Sequence, residues 1–349
     1  MKMTFRWYGE KDPVTLEKIR QIPTVSGIVT AVYDVPVGEV WSEESIRALK
    51  QKIEANGMTF EVVESVPVSE EIKLGSEKAA LLTEHYCENI RRLASFGVKC
   101  ICYNFMPVFD WLRSELKHPH PDGSNGLAYD EKSVLAMNPL TTRLSLPGWD
   151  ESYRQEELRT LLRRYQSIGE ERLWQNLETF LRTVIPVAEA NRVKMAIHPD
   201  DPPWGIFGLP RIITNRENLN RLLSLVDSPA NGITFCTGSL GADPSNDLSQ
   251  MAQEFAKRIP FAHLRNIRRT GERQFEEVAH PSECGSLDLY AIAEALCLGG
   301  FDGYVRPDHG RMIWGEEGRF GYGLYDRALG AAYLAGIFEA IQKQKRKKG

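Results

Sequence analysis

The feature that most constrains the fold is a regular alternation of short apolar runs with amphipathic segments along the chain. The apolar runs are rich in β-branched and aromatic residues, as expected for strands that are buried on both faces. We predict eight such strands, at residues 4–8, 27–33, 59–66, 98–105, 193–197, 232–236, 261–266 and 303–307. A segment with helical periodicity follows nearly every run, so the pattern predicts eight strand–helix units.

Strands that alternate with helices form parallel sheets with right-handed crossovers. Eight units match a closed (β/α)8 TIM barrel, an α/β fold that runs to about 250 residues or more as one domain. The main alternative is an open, doubly wound sheet, which usually has fewer units and a GxGxxG turn after its first strand. This chain has no such turn. We therefore predict a single TIM-barrel domain over residues 1–349.

One long segment after the fourth strand interrupts the alternation. Residues 107–170 include HPHPDGSNG, NPLTTRLSLPGWD and one predicted helix near Glu156–Tyr165. An irregular insertion of this length is usually functional, so we interpret it as a lid-like or binding segment. At the other end of the chain, the basic residues of 340–349 are expected to form a frayed, solvated helix end.

The charge balance and the apolar runs exclude several functional classes. The 43 Lys and Arg residues face 47 Asp and Glu residues, so no global basic field is available to bind nucleic acid. No apolar run approaches the roughly 18–20 residues of a membrane helix, and the N-terminus has no signal-peptide pattern. The six cysteines include no CxxC pair, which argues against a disulfide framework. We therefore predict a cytoplasmic protein that acts on a small molecule.

Metal-ligating residue types stand at the ends of the last four predicted strands. His198, Cys236, His263 and Asp308 are separated by 38, 27 and 45 residues, as expected for one residue per strand–helix unit. A lone histidine at a strand end is usually a satisfied polar residue, and a lone cysteine is usually a small buried hydrophobe. Four such residues in register are better explained as ligands that converge at the barrel rim.

The donor set narrows the choice of metal. Two imidazoles, a thiolate and a carboxylate are softer than the oxygen ligands that Mg²⁺ and Ca²⁺ prefer, which leaves Mn²⁺, Fe²⁺, Co²⁺ or Zn²⁺. Zn²⁺ with four protein ligands tends to form a closed structural site, whereas catalysis at a barrel rim needs open coordination positions. We therefore favour Mn²⁺ or Fe²⁺ as the cofactor.

Two further residues are candidates for proton transfer. His309 directly follows Asp308 and carries an imidazole that titrates near neutral pH. Tyr322 lies in the glycine-rich segment GRFGYG, where a phenol near a metal could serve as an acid or a base. The alternative for Tyr322 is an aromatic side chain that only packs on the barrel.

Residues on or next to the strands are candidates for substrate binding. Arginines two positions from a ligand face the same way as that ligand and suit bidentate recognition of a carboxylate. Residues of the first strand and at the end of the fourth strand would line the same mouth. The predicted substrate-binding residues are Arg6, Trp7, Asn104, Arg265 and Arg306.

Several of these segments together resemble a known family. They are FRWYGEKDPVTLEKIRQ, AIHPDDPP, FCTGSLG, FAHLRN, RPDHGR and GYGLYDRALGAAYL, and the resemblance runs nearly from end to end. The sequence resembles the D-mannonate dehydratases of the hexuronate pathway, which belong to the xylose-isomerase-like TIM barrels.

The resemblance implies a metal-dependent lyase that uses Mn²⁺ or Fe²⁺ and converts D-mannonate to 2-dehydro-3-deoxy-D-gluconate and water. It also implies that His198, Cys236, His263 and Asp308 are the metal ligands and that His309 and Tyr322 are the acid/base pair, without deciding which of the two is the acid.

Two other functions and the assembly state stay open at this point. A metal-dependent sugar isomerase or epimerase could use the same barrel, although a thiolate ligand argues against the carboxylate-rich sites of those enzymes. A non-catalytic sugar-acid sensor would be expected to lose His309 or Tyr322, and both are present. The expected assembly is a homo-oligomer, either a dimer or a tetramer.

Overall fold

Eight parallel strands close into a barrel in this computed structural model, which describes residues 1–137 and 155–348. With strands numbered in chain order, the barrel consists of β1 (Lys2–Arg6), β2 (Gly27–Thr30), β3 (Thr59–Glu64), β4 (Cys100–Tyr103), β7 (Lys194–Ile197), β8 (Asn231–Cys236), β9 (Phe261–Leu264) and β12 (Tyr304–Pro307). Neighbours around the barrel follow that order, and β12 pairs with β1 to close it. All eight strands lie within or overlap the predicted runs, so the TIM-barrel prediction is confirmed.

Helices follow the strands and supply the outer layer. They are α1 (Leu16–Ile19), α2 (Glu43–Ala55), α3 (Glu70–Lys73), α4 (Ala79–Ser95), α5 (Glu131–Ala136), α6 (Gln155–Tyr165), α7 (Glu170–Ala190), α8 (Arg216–Leu225), α9 (Thr237–Leu240), α10 (Leu248–Phe255), α11 (Leu289–Leu298) and α12 (Tyr325–Lys348). Short 3-10 turns lie at Ala256–Arg258 and Ser282–Cys284. Within the described residues, we find no helix with the length and apolar character needed to cross a membrane.

A second, antiparallel sheet lies outside the barrel, and the sequence did not predict it. Two hairpins form it, β5 (Glu115–Pro119) with β6 (Asn125–Asp130) and β10 (Asn266–Gly271) with β11 (Gln274–Val278), in the order β10-β11-β6-β5. The expectation that residues 107–170 are irregular is therefore wrong for 115–130. β5 has only exposed and partly exposed positions, and β6 mixes buried with partly exposed ones. Both strands lack continuous apolar runs, so the criterion that found the barrel strands misses them. Residues 138–154 of the insertion lie outside the described residues.

The basic C-terminal segment forms the end of a helix, and the prediction that this end frays stays a prediction. α12 continues to Lys348, and residues 342–347 are exposed as expected. The helix persists because Ile341 is 2% exposed and anchors this part of it, while Glu339 pairs with Lys343 one turn later.

An aromatic cluster joins the helical layer to the barrel and supports a stability prediction. The Phe180 ring on α7 lies 5.1 Å from the Tyr86 ring, 5.9 Å from the Tyr103 ring and 6.0 Å from the Phe105 ring, measured between ring centroids, and Phe180 is 1% exposed.

Phe180→Ala is expected to lower the free energy of unfolding by about 3–5 kcal/mol because it leaves a cavity among fixed neighbours. Urea denaturation measures this loss. Leu81→Ala on α4, where Leu81 is 61% exposed, serves as the control and should change stability by no more than about 0.5 kcal/mol. Equal shifts in the two variants would contradict the prediction.

Candidate active site

The register of the barrel strands places the predicted ligands at one rim. The pairing of β8 with β9 sets Cys236 opposite His263, and the pairing of β12 with β9 sets Arg306 opposite His263. His198 directly follows β7, and Asp308 directly follows β12. Because parallel strands end at the same edge, all these side chains lie at the carboxyl-terminal mouth of the barrel.

Three of the predicted metal ligands lie close together, and we call His198, Cys236 and His263 the donor group because each offers an atom that can bind a cation. The ligand atoms of His198, Cys236 and His263 all lie within 4.8 Å of one another. The His198 Nδ1–H donates to the carbonyl of Pro199 at 2.7 Å, which leaves Nε2 as the nitrogen that can accept a cation. The Ser239 hydroxyl donates to Cys236 Sγ at 3.0 Å. His263 is fully buried, and its Nε2 makes no hydrogen bond, with Glu64 Oε2 3.5 Å away. A buried nitrogen that makes no hydrogen bond, beside a thiol and a second imidazole, fits a site for a soft divalent cation.

Asp308, the fourth predicted ligand, lies beside this group and is held by two arginines. Its Oδ2 is 3.5 Å from Cys236 Sγ and accepts from Arg265 Nε at 2.7 Å. Its Oδ1 is 2.8 Å from Arg306 Nη1 and 3.8 Å from His263 Nδ1. Burial opposes the charge on Asp308, but the arginines and neighbouring histidines hold its pKa well below the usual value. Asp308 thus offers an ionised carboxylate oxygen as a possible metal ligand, next to Cys236 of the donor group.

A second group of donors includes a residue that the sequence analysis missed. Glu64, at the end of β3, offers a carboxylate within 4.8 Å of Cys102 Sγ and a nitrogen of His263. Glu64 also binds Arg306 Nη2 at 2.9 Å and lies 3.9 Å from Arg6 Nη1. Glu64 is therefore a second carboxylate beside His263 that has guanidinium partners, as Asp308 has.

The predicted acid/base pair is in direct contact. His309 Nε2 lies 2.8 Å from the Tyr322 hydroxyl, and the two rings meet edge to face. The edge of the Tyr8 ring packs on Tyr322 with the ring centroids 4.8 Å apart. Burial, reinforced by Tyr8 and Asp308, raises the pKa of Tyr322 well above its usual value. Tyr322 is 6% exposed and keeps its proton, so it can donate a hydrogen bond or a proton.

Behind this pair lies a closed ring of four buried charged side chains. Arg113 binds both Asp201, at 2.8 and 2.9 Å, and Glu277, at 2.9 and 2.7 Å. Arg265 binds the same two carboxylates at 2.8 and 2.6 Å. None of the four is more than 2% exposed. Glu277 also accepts from His309 Nδ1, so the ring is directly connected to the predicted acid/base pair.

The three predicted substrate-binding arginines differ in how much of their hydrogen-bonding capacity is free. Arg265 is engaged by three carboxylates of the protein, which makes it part of the scaffold of the site. Arg306 binds Glu64 and Asp308, and its buried Nε has no partner. Arg6 also has an unpartnered Nε, and its guanidinium lies over the Tyr8 ring, 4.8 Å from the centroid. Arg6 and Arg306 are therefore the arginines with capacity left for an anionic ligand.

The other two predicted substrate-binding residues have local partners. Trp7 is 3% exposed and lies within the hydrophobic core. Asn104 follows β4, and its side-chain oxygen accepts a hydrogen bond from the backbone N–H of Met106 at 3.2 Å. The structure does not include these two side chains in the metal-donor group, and their binding roles stay predictions.

Sequence reasoning missed Glu64, Arg113, Asp201 and Glu277. Asp201 lies in the segment AIHPDDPP, three residues after His198. This closeness to a predicted ligand could have identified it from the sequence. Glu277 lies on β11, and the sequence signal for this hairpin is the glycine at the turn, Gly271, between β10 and β11. Arg113 becomes visible only once the second sheet is recognised.

This chain is similar to known proteins over nearly its whole length. A sequence model of the D-mannonate dehydratase (UxuA) family matches residues 1–348. The mannonate dehydratase of Streptococcus uberis is 55% identical over 345 residues, which cover 98% of this chain and 99% of that protein. Mannonate dehydratase 2 of Halalkalibacterium halodurans is 56% identical over 343 residues, with the same coverage.

Solved structures show the same relationship. The crystal structure of mannonate dehydratase from Streptococcus suis serotype 2 has a TM-score of 0.92 and 49% identity, and the match covers 99% of this chain and 96% of that one. A D-tagatose 3-epimerase-like protein matches with a TM-score of 0.61 at 13% identity over 99% of both chains, which shows a shared barrel fold alone. The match over the whole length and the high identities lead to one conclusion: this chain belongs to the D-mannonate dehydratase family.

Proposed function

We propose that this protein is a metal-dependent hydro-lyase that converts D-mannonate to 2-dehydro-3-deoxy-D-gluconate and water, a step in the breakdown of hexuronates. The observation that carries the proposal is the contact of His309 with Tyr322 at 2.8 Å beside the donor group of His198, Cys236 and His263. Relatives that are 55–56% identical over nearly the whole chain are named mannonate dehydratases, which supports the choice of substrate.

The proposed cofactor is Mn²⁺ or Fe²⁺, held by His198, Cys236, His263 and Asp308. The unpartnered nitrogen of His263 and the orientation of His198 by Pro199 support this assignment. When bound, such an ion supplies positive charge that stabilises the negative charge developing on substrate oxygens.

The chemical difficulty is a weakly acidic C2–H next to a carboxylate and a poor leaving group at C3. We assign the removal of the C2 proton to His309, because Glu277 holds its Nδ1 proton and Nε2 carries none; the Tyr322 hydroxyl that donates to Nε2 would then turn to the substrate. We assign the acid role to Tyr322, because burial keeps its proton in place; it would protonate the C3 hydroxyl, which then leaves as water. The resulting enol becomes the 2-keto product when C3 takes up a proton and the C2 hydroxyl gives one up. Transfer of the proton gained by His309 to Tyr322 then restores both side chains. The unpartnered Nε groups of Arg6 and Arg306 are proposed to bind the substrate carboxylate.

Incubation of the metal-loaded protein with D-mannonate tests the function directly. We expect a 2-keto acid to accumulate, a chelator to abolish its formation, and added Mn²⁺ or Fe²⁺ to restore it, because no side chain alone stabilises the enolate charge as strongly. D-Fructose and D-tagatose serve as comparison substrates for the epimerase alternative. Binding of D-mannonate without turnover, or epimerisation of a ketose in its place, would contradict the proposal.

We also propose a location in the cytosol and a homo-oligomeric assembly. All six cysteines are free thiols, which fits a protein of the reducing cytosol. The homo-oligomer expected from the sequence is retained as part of the proposal, and sedimentation velocity would decide between monomer, dimer and tetramer.

A further inference from the structure

We propose that Glu277 is a positioning residue for this reaction, one that fixes the His309 proton on Nδ1 and thereby presents Nε2 as the base. The proposal rests on the proposed function, since it assumes that His309 and Tyr322 transfer the protons. It gives the second sheet a chemical role, because Glu277 belongs to β11 and not to the barrel.

The contact geometry defines the tautomer of His309. Its Nδ1 lies 2.9 Å from Oε1 and 2.8 Å from Oε2 of Glu277. An ionised carboxylate can only accept hydrogen bonds, so Nδ1 must carry a proton. In the neutral ring Nε2 then carries none, and the Tyr322 hydroxyl donates to it at 2.8 Å. Without the carboxylate, the proton could reside on Nε2, which would then be unable to act as a base.

The ring of buried charges keeps Glu277 ionised and immobile. Burial opposes its charge, but Arg265, His309 and Arg113 outweigh that cost and lower the pKa of Glu277 to about 2. Arg113 donates to Oε1 from both Nε and Nη2, and Arg265 donates to the same oxygen at 2.6 Å. Asp201 completes the ring by binding both arginines, so the two positive charges are matched by two negative ones. A carboxylate held by so many charged donors has little freedom to rotate away from His309.

The strand alternation of β11 explains how a residue outside the barrel reaches its mouth. Phe275 and Glu277 are 1% and 2% exposed and share the inner face, whereas Glu276 between them points outward to Arg268 at 3.1 Å. The backbone register sets Glu277 opposite Ile267 on β10, which begins two residues after β9 ends. The β10–β11 hairpin is therefore a continuation of the barrel strand that carries His263, and it folds back over the site.

Glu277→Gln tests the role, because it keeps the shape of the side chain and removes its charge. Arg113 and Arg265 both donate to Oε1, so we expect the amide oxygen at that position and the amide NH2, which is a donor, beside His309 Nδ1. We expect kcat for D-mannonate to fall by roughly 10²–10⁴-fold with little change in KM, since the base is lost but the substrate contacts remain. In a His309→Asn background the same substitution should have little further effect on kcat. Asp201→Asn is the matched control: it removes a carboxylate from the same ring that does not touch His309, so its loss of kcat should be clearly smaller.

Several outcomes would overturn the proposal. These are a normal kcat in Glu277→Gln, an equal fold-loss in the His309→Asn background, or an Asp201→Asn variant as slow as Glu277→Gln. If Glu277→Gln does not fold, Glu277→Asp carries the same test, because it keeps the charge and withdraws the oxygens from Nδ1. Wild-type protein that fails to dehydrate D-mannonate would contradict the proposed function and leave the tautomer to be tested separately.

The tautomer itself can be measured without substrate. In protein labelled with ¹⁵N-histidine and loaded with diamagnetic Zn²⁺, the His309 signals should show a protonated Nδ1 and an unprotonated Nε2. The spectrum of His309→Asn assigns these signals by their disappearance. Glu277→Gln should shift the proton partly to Nε2. An Nε2–H tautomer in the wild type, or no change in the variant, would overturn the inference.

Discussion

His309→Asn and Tyr322→Phe are each expected to lower kcat for D-mannonate by roughly 10²–10⁴-fold, the usual contribution of a positioned acid or base. Both variants should keep their bound metal and still bind D-mannonate, because neither side chain belongs to the donor group of His198, Cys236 and His263. Single-turnover kinetics, elemental analysis and calorimetric titration with D-mannonate separate these three properties.

The double variant gives the sharper result. The two side chains contact each other at 2.8 Å, and groups that act as a unit are strongly non-additive. We therefore expect the double variant to be little slower than the slower single variant. Tyr325→Phe, next to the same loop but 43% exposed, is the control and should leave kcat nearly normal. A Tyr322→Phe enzyme with near-normal kcat would show that Tyr322 only packs on Tyr8 and His309.

Cys236→Ser is expected to cause the second large effect, a loss of metal affinity with the fold retained. It replaces the one soft donor of the group by a hydroxyl that remains protonated at neutral pH. Loss of an outer partner of a metal ligand already costs about 10–100-fold in affinity, so loss of the ligand itself should cost at least that much. Titration with Mn²⁺ and elemental analysis after dialysis measure the change, and circular dichroism checks the fold.

Cys87→Ser is the matched control for this experiment. Cys87 is also fully buried, but it lies on α4, where its thiol faces the carbonyl of Thr183. Its replacement should leave metal content unchanged. Full metal occupancy and unchanged activity in Cys236→Ser would mean that Cys236 is only a core residue beside Ser239.

The barrel was predictable from the sequence because its strands are buried on both faces. Burial of this kind demands unbroken apolar runs, and the runs at 232–236 and 261–266 correspond to β8 and β9 within two residues at either end. The order of strand and helix then leaves few alternatives to a closed barrel. The same reasoning brought Cys236 and His263 to one rim, where the register sets them opposite each other.

The second sheet was not predictable by that criterion. Its strands are half-exposed, so polar residues interrupt the apolar pattern in 115–119 and 266–271. Its pairing joins hairpins that lie more than a hundred residues apart in the chain, as in the contact of Phe275 with Tyr129. Contacts at such separation depend on how the whole chain folds, so a single sequence does not show them directly.

By itself, the sequence determined the eight-stranded barrel, the strand ends that carry the metal-ligand types, and the placement of His309 and Tyr322 after the last strand. Only the tertiary structure decided the connections among charged groups: that Arg265 serves Asp308, Glu277 and Asp201, and that Glu277 orients His309. The physical reason is the range of the forces involved. Burial of a strand or helix face requires apolar residues at a regular local spacing, which is visible in the sequence. A buried charge needs only a partner within about 3 Å, and that partner can come from any part of the sequence.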